Sequence, residues 1–269
     1  MRTRDVTRWE TAISEVVSQA GREEVIVRGH PLSALIGSAS FAEMMFLLLQ
    51  GRMPTKPQAR TLDALLVASI EHGIAPPAMI SRCFASYGTT IQAAVGAGVT
   101  AFGDRMGGLG EQLAQLLFER LSPHLALDRA LSGELLEKVA DAIVAETRSQ
   151  KARLPGYGIP LHATDPRAIC VLEVARREGT YGPYCRLGGV LETSLARARH
   201  GKAVPMNIDG VAAVVALDLG FDWRTTRMFL ITPRTVSSAA HFLEEQYQDT
   251  AWRHATPETI TYTGPHPAD

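Results

Sequence analysis

Residues 154–167 read Leu-Pro-Gly-Tyr-Gly-Ile-Pro-Leu-His-Ala-Thr-Asp-Pro-Arg and lie between two segments with helical spacing of apolar residues. Glycine and proline alternate with other residues near the start of this stretch, which argues against a regular helix there. At its end Asp165 directly precedes Pro166, a pattern that predicts an N-cap followed by proline in the first helical turn. The stretch therefore predicts a loop that ends where a helix begins.

Two further loops have the same character. Gly103–Glu111 (GDRMGGLGE) and Lys202–Gly210 (KAVPMNIDG) each combine glycine with polar side chains just before a helical pattern. Glycine allows a backbone to approach a ligand closely, and the unpaired N–H groups of a helix start suit carboxylate or phosphate. Taken singly, each loop is more typical of an ordinary turn between helices than of a binding site.

Helical patterns dominate the rest of the chain. Ser40 and Glu43 form a capping-box pattern, and Asp209 opens another periodic run. Only Glu24–Arg28 and Glu258–Thr263 have strand-like composition, whereas the glycine-dense stretches 96–110 and 155–158 are the least helix-like. We therefore predict an all-α, mainly helical protein with at most one small hairpin. The predicted helices are Phe41–Leu49, Thr61–Ile70, Glu111–Leu121, Gly133–Glu146, Ala168–Glu178, Val190–Ala198, Val211–Leu219 and Ser237–Tyr247.

Composition and charge exclude several classes of function. The 269 residues carry 27 Lys+Arg and 28 Asp+Glu, and a net charge of -1 argues against a non-specific nucleic-acid binder. The longest apolar runs, such as Met44–Leu49, are too short to cross a bilayer, and the N-terminus lacks the apolar run of a signal peptide. The isolated cysteines Cys83, Cys170 and Cys185 indicate neither a disulfide framework nor a metal site. We expect a cytoplasmic protein without metal, nucleic-acid or membrane partners.

Together and in this order, the three loops resemble the citrate synthase superfamily, and its small citryl-CoA lyase-like members in particular. The resemblance implies an all-α fold of two domains around a cleft, and a homodimer or higher homo-oligomer. It places a large domain at residues 1–106 and 218–269 and a small domain at 107–217. The other segments that carry the resemblance are Arg28–Leu32 (RGHPL), Ser40–Glu43 (SFAE), Leu47–Pro54 (LLLQGRMP), Glu71–Gly73 (EHG), and Arg234 followed by His241 and Glu244.

The resemblance implies a reaction between a CoA thioester and a 2-oxo acid, in the direction of synthesis or cleavage. The family's base, which takes a proton next to the thioester, matches Asp209. Met106 and Ile159 stand where the family has histidines that stabilise the enol oxygen and polarise the acceptor carbonyl. Neither Met nor Ile can donate a hydrogen bond, and loss of one such donor commonly costs on the order of 10²–10³ in rate. The substitutions predict that little of the ordinary citrate synthase reaction remains.

The resemblance also implies a set of binding residues. His72, Arg167 and Arg234 match positions that contact substrate carboxylates, where the guanidinium fork suits bidentate pairing. Coenzyme A enters as substrate or ligand, and no permanently bound cofactor is expected. Arg105, next to Met106, is an alternative donor, with Asp104 as a possible partner for its charge. The residues expected to contact CoA are Pro155, Gly156, Tyr157, Gly158, His162 and Lys202.

Three hypotheses follow. The first is an enzyme with altered chemistry that breaks or forms a C–C bond in a carboxylate-bearing CoA thioester, or hydrolyses the thioester. The second is a catalytically inactive homologue that binds CoA or a carboxylate, in a regulatory role. The third is a helical protein with a chance likeness, which this many motifs in the same order argue against. Retention of Asp209 favours the first over the second, because a binding protein needs a base less.

Overall fold

The computed structural model describes residues 7–128, 131–158, 164–249 and 251–266. It confirms the predicted all-α class. No helix in these ranges is both long enough and apolar enough to cross a membrane. The helices are α1 (Leu32–Leu35), α2 (Phe41–Gln50), α3 (Lys56–Ser69), α4 (Pro76–Ser86), α5 (Ile91–Thr100), α6 (Leu109–Leu127), α7 (Gly133–Ser149), α8 (Pro166–Arg177), α9 (Pro183–Ala198), α10 (Ile208–Asp218) and α11 (Met228–Tyr247), with 3-10 turns at Trp223–Thr225 and Pro257–Thr259.

Local sequence signals account for several helix ends. The Ser40 side chain accepts the Glu43 N–H and the Glu43 carboxylate accepts the Ser40 N–H, so α2 begins with the predicted capping box. Gly51 ends α2 in the left-handed conformation. Asp165 caps α8 and Pro166 occupies its first turn, as predicted.

A small antiparallel sheet precedes the helices. Its strands β1 (Ser14–Gln19), β2 (Arg22–Val27) and β3 (His30–Pro31) lie in sequence order, with Ser14 opposite Val27 and Val27 opposite His30. Strand β2 confirms the predicted strand at Glu24–Arg28. The second predicted strand, Glu258–Thr263, is wrong: Pro257–Thr259 forms a 3-10 turn, and the described residues after it form no strand. An alternating sequence pattern is not sufficient for a strand, because a strand also needs a neighbouring strand to pair with.

The chain divides into two compact units. The first unit contains the described residues of Met1–Ser69 and Asp104–Leu230, and the second those of Ile70–Gly103 and Ile231–Asp269. Helix α11 therefore begins in the first unit and continues in the second. The predicted large and small domains, with boundaries at residues 106 and 218, stay a prediction.

The first unit is built around α10. Every residue of α10 from Gly210 to Leu217 is buried, and α3, α6, α8 and α9 pack against it. A helix that is apolar on all sides belongs inside a core. Helix α6 contributes Leu113, Leu117 and Leu121, none of them exposed to solvent. This core holds the start of α10 in one place.

The second unit contains two helices that the sequence analysis missed, α4 and α5. The prediction that residues 96–110 are among the least helix-like parts of the chain is wrong for residues 96–100, which complete α5. Gly98 serves packing, because a Cβ there would lie within 3.1 Å of Ser81, Ser238 and the Pro77 carbonyl. Packing between α4 and α5 overrides the low helix propensity of glycine.

Candidate active site

The start of α10 holds the predicted base. Asp209 is half-buried in the first turn of this helix, in the first unit. Its side chain is not the N-cap: Asn207 caps the helix, and the Asn207 Oδ1 accepts the N–H groups of Asp209 at 3.0 Å and Gly210 at 3.2 Å. The Asp209 carboxylate is therefore not needed to cap this helix.

The loop that contains Pro155 and Tyr157 is joined to the residues just before α10. The Gly158 N–H donates to the Pro205 carbonyl at 2.8 Å, and the Asn207 N–H donates to the Gly156 carbonyl at 3.0 Å. The Asn207 side-chain amide donates to the Gly158 carbonyl at 2.9 Å. Two of the three sequence loops thus form one structure at the start of α10.

Tyr157 is anchored inside the first unit. Its hydroxyl donates to the Gly188 carbonyl of α9 at 2.9 Å, and its backbone forms an isolated bridge with Met206. Burial raises the pKa of Tyr157 well above its ordinary value, so the phenol is protonated at any physiological pH. The Tyr157 side chain therefore supports the loop, and the predicted contacts of this loop with a ligand are made by backbone groups.

The third loop reaches the same place through glycine. A Cβ on Gly110, in the first turn of α6, would lie 2.8 Å from the backbone oxygen of Asp209. A Cβ on Gly156 would lie 2.7 Å from the Gly210 Cα. These contacts require bare backbone at both positions. All three glycine-rich loops therefore meet at the start of α10.

Asp165 connects Arg167 to this start. The Arg167 Nε and Nη2 donate to the two Asp165 oxygens at 2.9 and 2.8 Å, and the Ile208 N–H donates to Asp165 Oδ2 at 3.2 Å. Burial raises the pKa of Asp165, but hydrogen bonds and the positive charge of Arg167 outweigh burial and bring the pKa below 3.8. The Arg167 Nη1 is buried and has no hydrogen-bond partner among the described residues. Such a nitrogen suits a ligand carboxylate.

Met106 is half-buried in the loop before α6. Asp104, which the sequence offered as a possible partner for Arg105, pairs with Arg227, at 2.8 Å from Oδ1 to Nη2. Arg227 also pairs with Glu111 at 3.2 Å. The pKa of Arg227 is raised, mainly by its hydrogen bond to Asp104. Arg105 is exposed.

The second unit holds His72 and Arg234. His72 is exposed, and its backbone N–H donates to the Glu71 carboxylate at 2.8 Å. Glu71 also accepts the Ser237 hydroxyl and lies 3.3 Å from His241, and both of these residues are on α11. Arg234 is buried on α11, one turn before Ser237. The Glu71–His72 turn is thus held against the helix that carries Arg234.

Lys202 is exposed in the first unit, shortly after the end of α9. Helices α7 and α9 run in the same direction, because Arg186 donates to the Leu131 carbonyl near their starts and Arg197 pairs with Asp141 further along. Exposed basic residues stand at or just after the C-terminal ends of these two helices: Arg148, Lys151, Arg153, Arg199 and Lys202. Lys202 is three residues before Pro205, whose carbonyl accepts the Gly158 N–H, so its position is tied to the Pro155–Gly158 loop.

Two predicted residues, Ile159 and His162, lie outside the described residues. Within the ranges that are described, no group of three His, Cys, Asp or Glu side chains is placed to hold a metal ion. Sequence reasoning missed Arg227 and the role of Asp165 beyond capping. The Asp-Pro-Arg spacing is a usable signal for an Asp165–Arg167 pair, whereas Arg227 has no local signal because its partners lie over a hundred positions away.

Comparison with known proteins places these features in context. Residues 54–255 match the family described as "Citrate synthase, C-terminal domain". A curated citrate synthase of Heyndrickxia coagulans is 24% identical over 241 residues, which cover 87% of this chain and 58% of the relative. The chain therefore spans little more than half the length of that relative.

Solved structures have the same fold. The citryl-CoA lyase of Hydrogenobacter thermophilus superimposes with a TM-score of 0.82 and 32% identity, covering 97% of this chain and 96% of the other. The ATP citrate lyase of Methanothrix soehngenii, in complex with citrate and coenzyme A, gives a TM-score of 0.79 at 19% identity, covering 99% of this chain and 43% of that one. At that lower identity the likeness is one of fold alone.

Proposed function

The chain belongs to the citrate synthase family, and from that premise we propose that it breaks or forms a C–C bond in a carboxylate-bearing CoA thioester. The observation that carries the proposal is the meeting of three glycine-rich loops at the start of α10, where Asp209 lies half-buried. The likeness to a citryl-CoA lyase at 32% identity over nearly the whole of both chains supports the choice of substrate class.

Asp209 is the proposed acid–base group. In synthesis its carboxylate takes a proton from the carbon next to the thioester carbonyl. The resulting enolate carbon attacks the keto carbon of a 2-oxo acid, and the alkoxide formed there takes a proton from solvent. In cleavage the Asp209 carboxyl is protonated at the outset. The substrate hydroxyl gives its proton to solvent as the C–C bond breaks and the 2-oxo acid leaves, and the carboxyl gives its proton to the enolate carbon. Proton transfer of this kind contributes about 10²–10⁴ in rate. Hydrolysis of the thioester remains an alternative reaction of the same substrate.

Arg167 is the proposed carboxylate contact in the first unit. Its Nε and Nη2 are used by Asp165, which leaves the buried Nη1 for the substrate. A fixed guanidinium loses little freedom when it binds a carboxylate. His72 and Arg234, in the second unit, are further proposed contacts for substrate carboxylates, as the resemblance implies.

The CoA portion is proposed to lie along Pro155–Gly158. The hydrogen bonds from Gly158 to Pro205 and from Asn207 to Gly156 fix the backbone of this loop. Lys202 is three residues before Pro205, which contacts this loop, and phosphate oxygens are natural partners for its charge. His162 is a further proposed contact on sequence grounds alone.

A second candidate function has its own observation. Met106 stands where the family has a donor for the enol oxygen, and a thioether cannot donate a hydrogen bond. Ile159 likewise replaces the other family donor in the sequence. An inactive homologue that binds CoA and a carboxylate is consistent with these losses.

Turnover by purified protein separates the two candidates. Citryl-CoA, and acyl-CoAs paired with 2-oxo acids, are offered to the wild type, to Asp209→Asn and to the control Asp222→Asn, whose carboxyl is exposed in a 3-10 turn. We expect turnover that falls at least about a hundredfold in Asp209→Asn, with CoA affinity retained. Equal turnover in wild type and Asp209→Asn contradicts the assigned role. Tight CoA binding without turnover of any pair favours the second candidate.

A further inference from the structure

The segment Asp104–Glu111, here called the Met106 loop, has a carboxylate at each end. Arg227 reaches both: its Nη2 is 2.8 Å from Asp104 Oδ1 and 3.2 Å from Glu111 Oε1. The Gln112 side-chain amide also donates to the Asp104 carbonyl at 2.8 Å. One guanidinium thus closes the ends of the loop that contains Met106.

The glycines of the Met106 loop explain why a contact that fixes its two ends matters. Gly107 and Gly108 follow Met106, and Gly107 adopts a φ of 79°. Glycine loses more conformational freedom on ordering than any other residue, so the loop does not hold one shape through its own sequence. A contact from elsewhere in the chain must supply that order.

Arg227 is well suited to this task. Its side chain is 22% exposed and that of Glu111 is 25% exposed, so this pair is shielded from solvent more than a surface ion pair. Asp104 is the closer partner at 2.8 Å, but it is 78% exposed, so solvent screens this contact more. Both contacts are made by Nη2, whose two N–H groups can serve two carboxylates together.

The loop ends against the proposed base. Gly110 packs on the backbone oxygen of Asp209, so displacement of the Met106 loop changes what surrounds the start of α10. We propose that Arg227 is a positioning residue, which bridges Asp104 and Glu111 and so holds the Met106 loop against the turn that carries Asp209. The inference rests on the proposed function, because Asp209 is taken as the acid–base group.

The test compares Arg227→Met and Arg227→Lys with the control Arg224→Met. Arg224 lies three residues earlier, pairs with Asp222 and is exposed, so its loss removes a cation without touching the Met106 loop. Should Arg227→Met not fold, Asp104→Asn breaks one side of the bridge at an exposed position. Hydrogen exchange of the amides of residues 104–112 reports on the loop, and kcat, KM and CoA affinity report on the site.

We expect Arg227→Met to speed exchange in the Met106 loop by about tenfold or more, while the core of α10 exchanges as in the wild type. We expect kcat to fall about ten- to a hundredfold, with CoA affinity nearly unchanged. Arg227→Lys keeps the charge but not the guanidinium, so its amide exchange and its kcat should lie between those of the wild type and Arg227→Met. Arg224→Met should match the wild type in all of these measurements.

Three results overturn the proposal: unchanged exchange in the Met106 loop of Arg227→Met, a loosened loop with wild-type kcat, or faster exchange throughout the first unit. The last result would show a general structural role. A wild type that turns over no acyl-CoA refutes the proposed function instead. In that case a loosened Met106 loop with unchanged CoA affinity still supports the bridge by Arg227, and an unchanged loop overturns it.

Discussion

Single glycines decide how closely the site loops approach each other. Gly156 has a φ of 76°, and a Cβ there would lie 2.7 Å from the Gly210 Cα and 2.8 Å from the Leu113 side chain. Gly179, after α8, has a similar φ of 70°, but a Cβ there would meet no other atom within 4 Å. The two residues share a conformation and differ only in their surroundings.

This difference predicts the cost of adding one methyl group. Gly179→Ala should lower the free energy of unfolding by about 1–2 kcal/mol, which is the cost of a left-handed conformation for alanine. Gly156→Ala adds the cost of overpacking, typically another 1–3 kcal/mol, because backbone atoms cannot move aside. Urea titrations of both variants check the order. Equal losses would contradict the close packing of the loops.

Helix starts are the elements that organise the site. The start of α8 is capped by Asp165 and the start of α10 by Asn207, and Asp165 also accepts the Ile208 N–H of α10 at 3.2 Å. One buried carboxylate therefore joins two helices and orients Arg167. A carboxylate near helix N-termini is further stabilised by their unpaired N–H groups.

The Asp165 contact predicts a dependence of stability on pH. Its pKa is below 3.8 in the folded protein, so the charged form contributes stability above pH 3.8, and this contribution is lost as pH falls through the lower folded pKa. Asp165→Asn keeps a capping side chain but removes the charge. It should cost about 3 kcal/mol near neutral pH, the usual penalty for breaking a buried ion pair.

Urea midpoints of wild type and Asp165→Asn, measured from neutral pH to well below 3.8, check this dependence. The difference between the two proteins should shrink as the solution becomes more acidic. Asp222→Asn is the matched control, since Asp222 forms the same Asp-x-Arg fork with Arg224 at an exposed turn. It should cost much less at neutral pH. A difference for Asp165→Asn that is independent of pH would argue against a charged Asp165.

At the scale of the whole molecule, the proposed site residues are divided between the compact units. Asp209, Arg167 and the Pro155–Gly158 loop belong to the first unit, and His72 and Arg234 belong to the second. Each unit has its own stabilising contacts; in the second, Glu245 is fully buried and pairs with Arg82 and Arg253. The homodimer implied by the resemblance stays a prediction.

Ligand binding should raise the stability of the folded protein. A ligand at a hundredfold excess over its Kd contributes about 2.7 kcal/mol, so CoA and a dicarboxylate should each raise Tm by several degrees. Arg167→Lys should reduce the shift with the dicarboxylate and keep the shift with CoA, because only the guanidinium fork is altered. Thermal unfolding monitored with each ligand measures this. No shift with either ligand would oppose both candidate functions.

Local signals in the sequence were sufficient for the helical class and for several helix ends. Three helix ends depend on contacts within a few residues, so they need no tertiary partner: the capping box at Ser40, the Asp165–Pro166 start and Gly51. The same reasoning failed for α5, where glycine lowers helix propensity but packing of Gly98 against α4 requires it. The ordered loops also indicated the family.

Tertiary structure decided how the pieces of the site come together. Asn207 rather than Asp209 caps α10, Asp165 reaches Ile208 across 43 positions, and Arg227 rather than Arg105 pairs with Asp104 across 123 positions. Such contacts depend on which helices pack around α10, and no local pattern in the chain specifies a partner at that distance. The residue types were readable from the sequence, and their partners followed only from the fold.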